Sequence, residues 1–257
     1  MLTIETKHEL DVAQLREIIG SSVPVIIKNI KLADNKFGLW NVEYLSNKSG
    51  QSQVVLVSSQ SKKFDYNDKD KNGIDIQETT FEKALNTVYT KQSEEACYYM
   101  PQCPVRKKLP ALLEDLSEFN SIFNKKYNTL INLWIGQQGA VSPLHYDQHD
   151  NFLHQVAGKK IITLFSPDDT ENLYANDTGD LAHVSRLDLN QIDREKYPLY
   201  EKAHKCQVEL DAGDILYIPR IWWHQVETLQ TAISINYWFK KKSLIELLQA
   251  KLRWVRG

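Results

Sequence analysis

A succession of short β-type segments after residue 130 constrains this fold more than any other feature. Each segment is rich in β-branched and aromatic residues, and Gly, Pro, Asp or Asn separates it from the next. The segments are LINLWIG, VSPLHYD, NFLHQVAG, KKIITLFSP, QVELDAGDILYIP, WWHQVETL and AISINYWF. Antiparallel strands that follow one another at this spacing predict a β-sandwich or barrel over residues 130–240.

The flanking segments mix helices and strands. Within residues 1–129, apolar residues at helical spacing predict helices, and β-branched runs predict strands. The predicted helices cover 8–20, 80–91 and 109–119, and the predicted strands cover 23–29 and 53–59. A polar insertion at 168–204 interrupts the later strands, and loops of that length are commonly functional or disordered. An amphipathic pattern predicts a C-terminal helix within 241–257.

The composition and net charge limit the possible partners and cellular location of the protein. The 257 residues carry a formal net charge of -2, which by itself indicates neither nucleic acid nor a membrane surface as a partner. The three cysteines (Cys97, Cys103 and Cys206) form no CxxC pair, so we expect reduced thiols. No apolar run approaches the ~18 residues of a membrane span, and the first residues lack the apolar core of a signal peptide. We therefore expect one soluble, cytoplasmic domain that spans residues 1–257.

The stretch 142–160, SPLHYDQHDNFLHQVAGKK, places many polar side chains where the pattern predicts sheet. Burying such groups without partners is unfavourable, so they are either solvated or satisfied by a ligand in a cavity. His145 and Asp147 are two residues apart, and on a strand this spacing puts both side chains on one face. His224, in the later strand YIPRIWWHQV, would complete the facial triad of non-haem Fe(II) oxygenases, which is two imidazoles and one carboxylate.

The ordinary alternative for any one histidine is a core residue that is satisfied by hydrogen bonds. Buried histidines are more often of this kind than metal ligands. The histidines assigned to it are His149, His154, His183 and His204.

Lys160 is the second unusual residue of this stretch. It opens KIITLF, whose alternate members Ile162 and Leu164 should share its face, whereas Lys159 should point to solvent. A lysine on an apolar inner face is unfavourable unless an anion pairs with it. A carboxylate of 2-oxoglutarate would be such a partner, because an open Fe(II) triad needs a reductant of this kind. The alternative is a strand-end lysine whose amine reaches outward to water.

These motifs resemble those of the Jumonji-C, cupin-like 2-oxoglutarate-dependent oxygenases. The resemblance rests on SPLHYDQHDNFLHQVAGKKIITLFSP, GDILYIPRIWWHQVETL and SINYWF, and it is dense from about 130 to 240. Within that family the chain looks most similar to the small hydroxylase branch typified by the asparaginyl hydroxylase of hypoxia-inducible factor. The resemblance implies a mainly β fold with flanking helices, built on a double-stranded β-helix or jelly-roll core.

The resemblance also implies a role for each matching residue. The family's Fe(II) ligands correspond to His145, Asp147 and His224. The positions that hold 2-oxoglutarate or wall its pocket correspond to Lys160, Ser142, Asn151, Asn236, Tyr99 and Trp238. Tyr98 is the alternative to Tyr99 as the pocket tyrosine. Leu153 stands where the family often has an aromatic residue, which should change packing over the co-substrate but not the chemistry.

The implied reaction is hydroxylation of a C–H bond with O2 and 2-oxoglutarate, with release of succinate and CO2. We expect a protein or peptide side chain as the substrate, and the lack of a zinc-finger cysteine cluster argues against histone demethylation. A tRNA base is the alternative, although the net charge and the acidic loop 168–180 weigh against it. That loop is either solvated or favours a basic peptide. A catalytically silent, metal-binding cupin stays open, and the C-terminal helix either forms a homodimer or caps the barrel.

Overall fold

The computed structural model describes residues 3–65, 69–91, 95–176 and 183–243, and its strands form one sheet. The strands are β1 Glu5–His8, β2 Val25–Lys28, β3 Gln53–Ser59, β4 Ile74–Thr80, β5 Cys97–Pro104, β6 Tyr127–Gly136, β7 Val141–Tyr146, β8 Asp150–Phe165, β9 Cys206–Leu210, β10 Ile215–Ile218 and β11 Trp223–Lys241. The helices are α1 Val12–Ile18, α2 Val42–Ser49, α3 Lys69–Asn72, α4 Phe81–Thr90, α5 Val105–Lys108 and α6 Ser117–Asn120. Short 3-10 turns occupy Phe37–Leu39, Pro110–Leu112, Pro167–Leu173 and Pro198–Lys202.

Two long strands, β8 and β11, organise the sheet because each changes its neighbours partway along its length. The first half of β8 lies between β10 and the second half of β11, which pairs on its other edge with β6. The second half of β8 lies between β9 and the first half of β11, which pairs on its other edge with β7. This exchange is the arrangement expected of a jelly-roll core. The predicted class, mainly β with flanking helices, is confirmed.

A glycine bulge makes the long strands possible. Gly158 has a φ of +71°, and a Cβ at this position would lie 2.2 Å from the Thr231 carbonyl oxygen. The pairing of β8 with β11 shifts register around this point. We predicted separate strands on either side of Gly158 and two further strands within 222–239. Both predictions were wrong, because the bulge bends each strand without ending it. Conversely, QVELDAGDILYIP forms two strands, β9 and β10, around the turn at Gly213 (φ +95°).

The N-terminal part follows the predicted helices less closely. The predicted helix over 109–119 is interrupted, because Asp115 is buried and accepts hydrogen bonds from Trp40, Tyr44 and Lys48. These tertiary contacts hold the segment as a 3-10 turn followed by α6. Helix α1 is shorter than predicted and starts at an Asp11 capping box with Gln14. Strands β1 and β4 were not predicted.

Apolar clusters lie on both sides of the sheet. The largest contains residues from α1, α2, α4 and the outer faces of β6, β8 and β11. Another joins Leu144, Phe165 and Trp223 to Leu173 and Leu187 of the 168–204 insertion. The predicted C-terminal helix falls mainly on 244–257, outside the described residues. Within the described ranges, none of the helices has the length and apolar content that a bilayer crossing requires.

Candidate metal and co-substrate site

His145, Asp147 and His224 come together where β7 and β11 pair. The register places His145 directly opposite His224, and Asp147 follows immediately after the end of β7. One ligand atom of each residue lies within 4.8 Å of the others, and His224 Nε2 lies 3.7 Å from Asp147 Oδ2. Two imidazoles and one carboxylate at these separations match the donor set of a metal centre with open coordination positions.

Backbone carbonyls orient both imidazoles. His145 Nδ1 lies 2.7 Å from the Pro143 carbonyl oxygen, and His224 Nδ1 lies 3.0 Å from that of Trp222. Because a carbonyl only accepts, each Nδ1 carries the proton and each Nε2 keeps its lone pair for a metal ion. Burial, reinforced by the neighbouring His145, lowers the pKa of His224 to about 4. His224 is therefore neutral at pH 7, as a ligand must be.

The 168–204 insertion closes the outer edge of β7. The Tyr146 N–H donates to the His183 carbonyl oxygen at 2.9 Å, and the Ser185 N–H donates to that of Leu144 at 2.8 Å. The Ser185 hydroxyl in turn donates to the Leu173 carbonyl oxygen at 2.5 Å. The strand that carries His145 is thus held between β11 and the insertion, so this part of the insertion is framework rather than solvated loop.

Lys160 points into the interior. Its relative exposure is 2%, and no hydrogen bond or ion pair to its amine occurs within the described ranges. Burial lowers the pKa of its amine to about 7. Lys159 points the other way, where its amine lies 2.9 Å from Asp211 and 3.4 Å from Glu209. The outward-reaching alternative for Lys160 is therefore wrong, and the amine needs an anion that the described protein does not supply.

The triad and Lys160 line one cavity. All nine residues predicted for the site line it: Tyr99, Ser142, His145, Asp147, Asn151, Lys160, His224, Asn236 and Trp238. Asn151 Oδ1, Trp134 Nε1 and Trp238 Nε1 are buried and have no hydrogen-bond partner among the described residues. Polar atoms in this state are unfavourable in a protein interior, and a polar ligand in the cavity would complete their hydrogen bonds.

Tyr99, not Tyr98, faces the cavity. The Tyr99 ring packs on Phe64 and Trp134, whereas the Tyr98 hydroxyl accepts from the Lys91 amine outside the cavity. The register pairs Tyr99 with Gly136, where a Cβ would lie 2.7 Å from the ring. Gly136 therefore provides the space in which the Tyr99 ring lies.

Two residues near the cavity were not predicted from the sequence. Trp134 lines the cavity, and the buried Asn132 donates through Nδ2 to Asn236 Oδ1 at 3.1 Å. Both belong to LINLWIG, where Asn132 and Trp134 alternate with Ile131, Leu133 and Ile135. A polar residue on one face of an otherwise apolar strand was the available signal.

The residues present fit an Fe(II) ion with a small dicarboxylate beside it. The triad offers two imidazole nitrogen donors and one carboxylate, which suits a divalent first-row metal. The buried amine of Lys160 lacks a counter-charge within the described ranges, and a carboxylate would supply one. The orphaned amide and indole groups provide further hydrogen-bonding positions for such a ligand.

Comparisons with known proteins agree with this geometry. A family model described as "Cupin-like domain" matches residues 12–244. Jumonji C domain-containing protein 5 of Drosophila melanogaster is 40% identical over 146 residues, which is 55% of this chain and 36% of that protein. The tRNA wybutosine-synthesizing protein 5 of Gallus gallus is 32% identical over 88% of this chain and 73% of that protein.

A third relative is lysine-specific demethylase 8 of Xenopus tropicalis, 30% identical over 78% of this chain and 44% of that protein. The chain therefore spans less than half the length of two of these relatives and about three quarters of the other. Placement in the asparaginyl hydroxylase branch stays a prediction. The matched region, the jelly-roll sheet and the His–Asp–His group show that the chain belongs to the cupin-like domain family, with Jumonji C domain proteins among its relatives.

Proposed function

We propose that this protein is an Fe(II)- and 2-oxoglutarate-dependent dioxygenase that hydroxylates a side chain of a protein or peptide. One observation carries the proposal: a His–Asp–His group and a buried lysine without a counter-charge in the described structure line the same cavity. Neither the His–Asp–His group nor the buried lysine alone would suffice, because groups of potential metal ligands and buried lysines each occur for structural reasons. Together they match a metal that is chelated by an anionic co-substrate.

In this proposal His145, Asp147 and His224 hold the iron. When bound, such a centre couples oxidation of a substrate C–H bond by O2 to oxidative decarboxylation of 2-oxoglutarate, giving the alcohol, succinate and CO2. The protein's share is to fix both imidazoles in orientation. The carbonyls of Pro143 and Trp222 do this by accepting from Nδ1.

The proposed co-substrate pocket has a charged end and a neutral end. Lys160 would pair with the carboxylate distant from the metal, and Ser142 and Tyr99 would contact the same group. Asn151 and Asn236 would bind near the metal end, where the Asn132 amide fixes the orientation of the Asn236 carbonyl. Because Lys160 is excluded from water, its charged bond to a carboxylate would be stronger than one at the surface.

A wider vestibule adjoins the metal cavity and gives a substrate side chain a route inward. Aromatic rings of Phe64, Tyr99, Trp134 and Trp238 line much of it, and His183 contributes from the insertion. These rings would exclude water and hold a side chain close to the open positions of the metal.

Two related reactions remain as second candidates, each favoured by one relative. The relative named as a tRNA wybutosine-synthesizing protein covers most of this chain, which favours a tRNA base as the substrate. The relative named as a lysine-specific demethylase favours oxidation of an N-methyl carbon, which would end in loss of the methyl group. All three reactions require the same metal and co-substrate residues.

Anaerobic titration of Fe(II) and then 2-oxoglutarate into the purified protein tests the proposal. We expect the visible charge-transfer band of the chelate in the wild type, no band in His145→Ala, and a need for far more 2-oxoglutarate in Lys160→Ala. Lys159→Ala is the matched control, because this neighbouring lysine faces solvent, and it should titrate like the wild type. A well-folded wild-type protein without the band would leave a catalytically silent cupin.

The substrate requires a separate experiment. Capture with an Asp147→Ala variant, followed by mass spectrometry of captured proteins and RNA after incubation with wild-type enzyme, distinguishes the candidates. A protein side chain that gains one oxygen atom supports the proposal. Loss of a methyl group or an oxidised tRNA base would replace it with one of the second candidates.

A further inference from the structure

Six basic residues, here called the basic strip, lie where β6 begins and β11 ends: Lys125, Lys126, Arg220, Lys240, Lys241 and Lys242. Pairing of the strands brings them together. Lys240 and Lys241 lie opposite Asn128 and Tyr127, and the Lys242 N–H donates to the Lys126 carbonyl oxygen at 2.8 Å. Arg220 joins them through Asp150, which pairs with Phe239 and accepts from the Arg220 N–H at 3.0 Å.

The side chains of the basic strip form no ion pairs within the described ranges, unlike Lys28, Lys48 and Lys159, which are each paired with a carboxylate. The Asp150 carboxylate lies beside the strip and accepts from the Arg220 main-chain N–H. Six cations around one carboxylate leave a local excess of positive charge on a chain with a net charge of -2, and this excess attracts anions.

The basic strip begins at the mouth of the vestibule. Trp238 lines the vestibule, and Lys240 shares its strand face because it lies two residues further on. The His149 ring is stacked on Trp238, with the ring centroids 6.3 Å apart. Directly opposite Trp238 on β6 lies Leu130, which is 52% exposed. A chain that leaves the vestibule on this side therefore meets an apolar contact first and cations next.

Another part of the vestibule wall carries a negative charge from Asp65. The insertion 168–204, which has nine acidic and four basic residues, contributes His183 and Val184 to the wall. A long polyanion that crosses the whole mouth would be attracted at the basic strip and repelled near Asp65. A short acidic segment that extends to one side only avoids that repulsion, and this favours a peptide over a nucleic acid strand.

We propose that the basic strip binds an acidic segment of the peptide substrate, flanking the side chain to be oxidised, with an apolar residue against Leu130. The inference rests on the proposed function for the reaction in the cavity, but binding at the basic strip needs neither iron nor turnover. It assigns the specificity of the enzyme to lysines outside the metal and co-substrate pocket.

Fluorescence anisotropy with a labelled oligoglutamate peptide that contains one central leucine tests this inference. We compare the wild type with Lys240→Gln/Lys242→Gln and with the matched control Lys83→Gln/Lys205→Gln, which removes two exposed lysines elsewhere. We expect the first pair of substitutions to weaken binding about fivefold to tenfold, since each exposed charge contributes up to ~1 kcal/mol. The control should bind like the wild type, and added salt should weaken wild-type binding.

A labelled oligouridylate of equal charge is the competing probe. Tighter binding of this RNA than of the peptide, with the difference lost in Lys240→Gln/Lys242→Gln, would overturn the peptide assignment and make the basic strip an RNA surface. Equal peptide binding by all three proteins would overturn the inference altogether. The charge-transfer titration of the same proteins separates the two proposals: an absent band with strip-dependent peptide binding contradicts only the proposed function.

Discussion

Replacing Lys160 by methionine should stabilise the ligand-free protein while it removes tight binding of 2-oxoglutarate. Lys160 is 2% exposed, and its amine has no anionic partner within the described ranges. Methionine preserves most of the volume of the side chain and carries no charge. The substitution thus removes a buried charge but leaves the packing around it nearly unchanged.

The size and pH dependence of the gain follow from the pKa. Burial lowers the pKa of Lys160 from 10.5 to about 7, so the unfolded chain holds this proton more tightly than the folded protein does. One pKa unit corresponds to about 1.4 kcal/mol, so the shift from 10.5 to about 7 reduces the free energy of unfolding by roughly 5 kcal/mol below pH 7. This penalty declines as the pH rises from about 7 to about 10.5, because the folded protein has then released the proton and that release costs less free energy as the pH approaches 10.5.

Urea unfolding of the metal-free proteins measures the effect. We expect Lys160→Met to exceed the wild type by roughly 2–4 kcal/mol near neutral pH, and the difference to shrink toward pH 10. Lys159→Met is the control and should give no such gain, because its amine is exposed and paired with Asp211. A Lys160→Met protein that is less stable than the wild type at every pH would refute the reasoning, since the amine would then be satisfied within the protein.

Three further predictions test other parts of the structure. Asp147→Ala should abolish retention of Fe(II) in equilibrium dialysis, and the midpoint of thermal unfolding of the metal-free protein should change by only a few degrees; undiminished iron retention would remove Asp147 from the site. Gly136→Ala should weaken 2-oxoglutarate binding about tenfold with unchanged Fe(II) affinity, because the added Cβ would lie 2.7 Å from the Tyr99 ring; equal 2-oxoglutarate affinity in calorimetry would show that the ring moves freely. Burial lowers the pKa of His154 to about 3. The free energy of unfolding should therefore decrease by up to about 1.4 kcal/mol per pH unit as the pH falls from about 6.5 toward 3, because the unfolded chain binds this proton first. His154→Leu should lose that part of the slope, and an unchanged slope in acid denaturation would contradict the assignment.

Strand geometry predicted only part of the site. The position of Lys160 before Ile162 fixes the face on which its side chain lies. The two-residue spacing placed His145 and Asp147 together, although Asp147 lies just after the end of β7, and His224 was chosen from a later motif. The remaining pocket positions came from the family resemblance alone: Ser142, Asn151, Asn236, Tyr99 and Trp238. The choice between Tyr98 and Tyr99 depended on the register of β5 with β6, which local patterns do not determine.

Features that depend on distant contacts were missed. The break in the helix predicted for 109–119 arises from the hydrogen bonds of Asp115 to residues far away in the sequence. Strand β4, IDIQETT, has Asp, Gln and Glu between its Ile and Thr residues and is largely exposed, so no apolar face marks it in the sequence; its pairing with β3 stabilises it. The continuity of β8 through Gly158 was missed because a glycine in a strand pattern indicates a break as readily as a bulge.

The bonds that join the insertion to β7 bear on how such an enzyme could acquire new substrates. They run from main chain to main chain, between Tyr146 and His183 and between Leu144 and Ser185, so they do not depend on which side chains the insertion carries. Residues of the insertion other than the buried Leu173, Ser185 and Leu187 can therefore be exchanged while the strand that bears His145 keeps its place. Under the proposed function, insertions grafted from other members of the family would change the vestibule wall without rebuilding the proposed metal site.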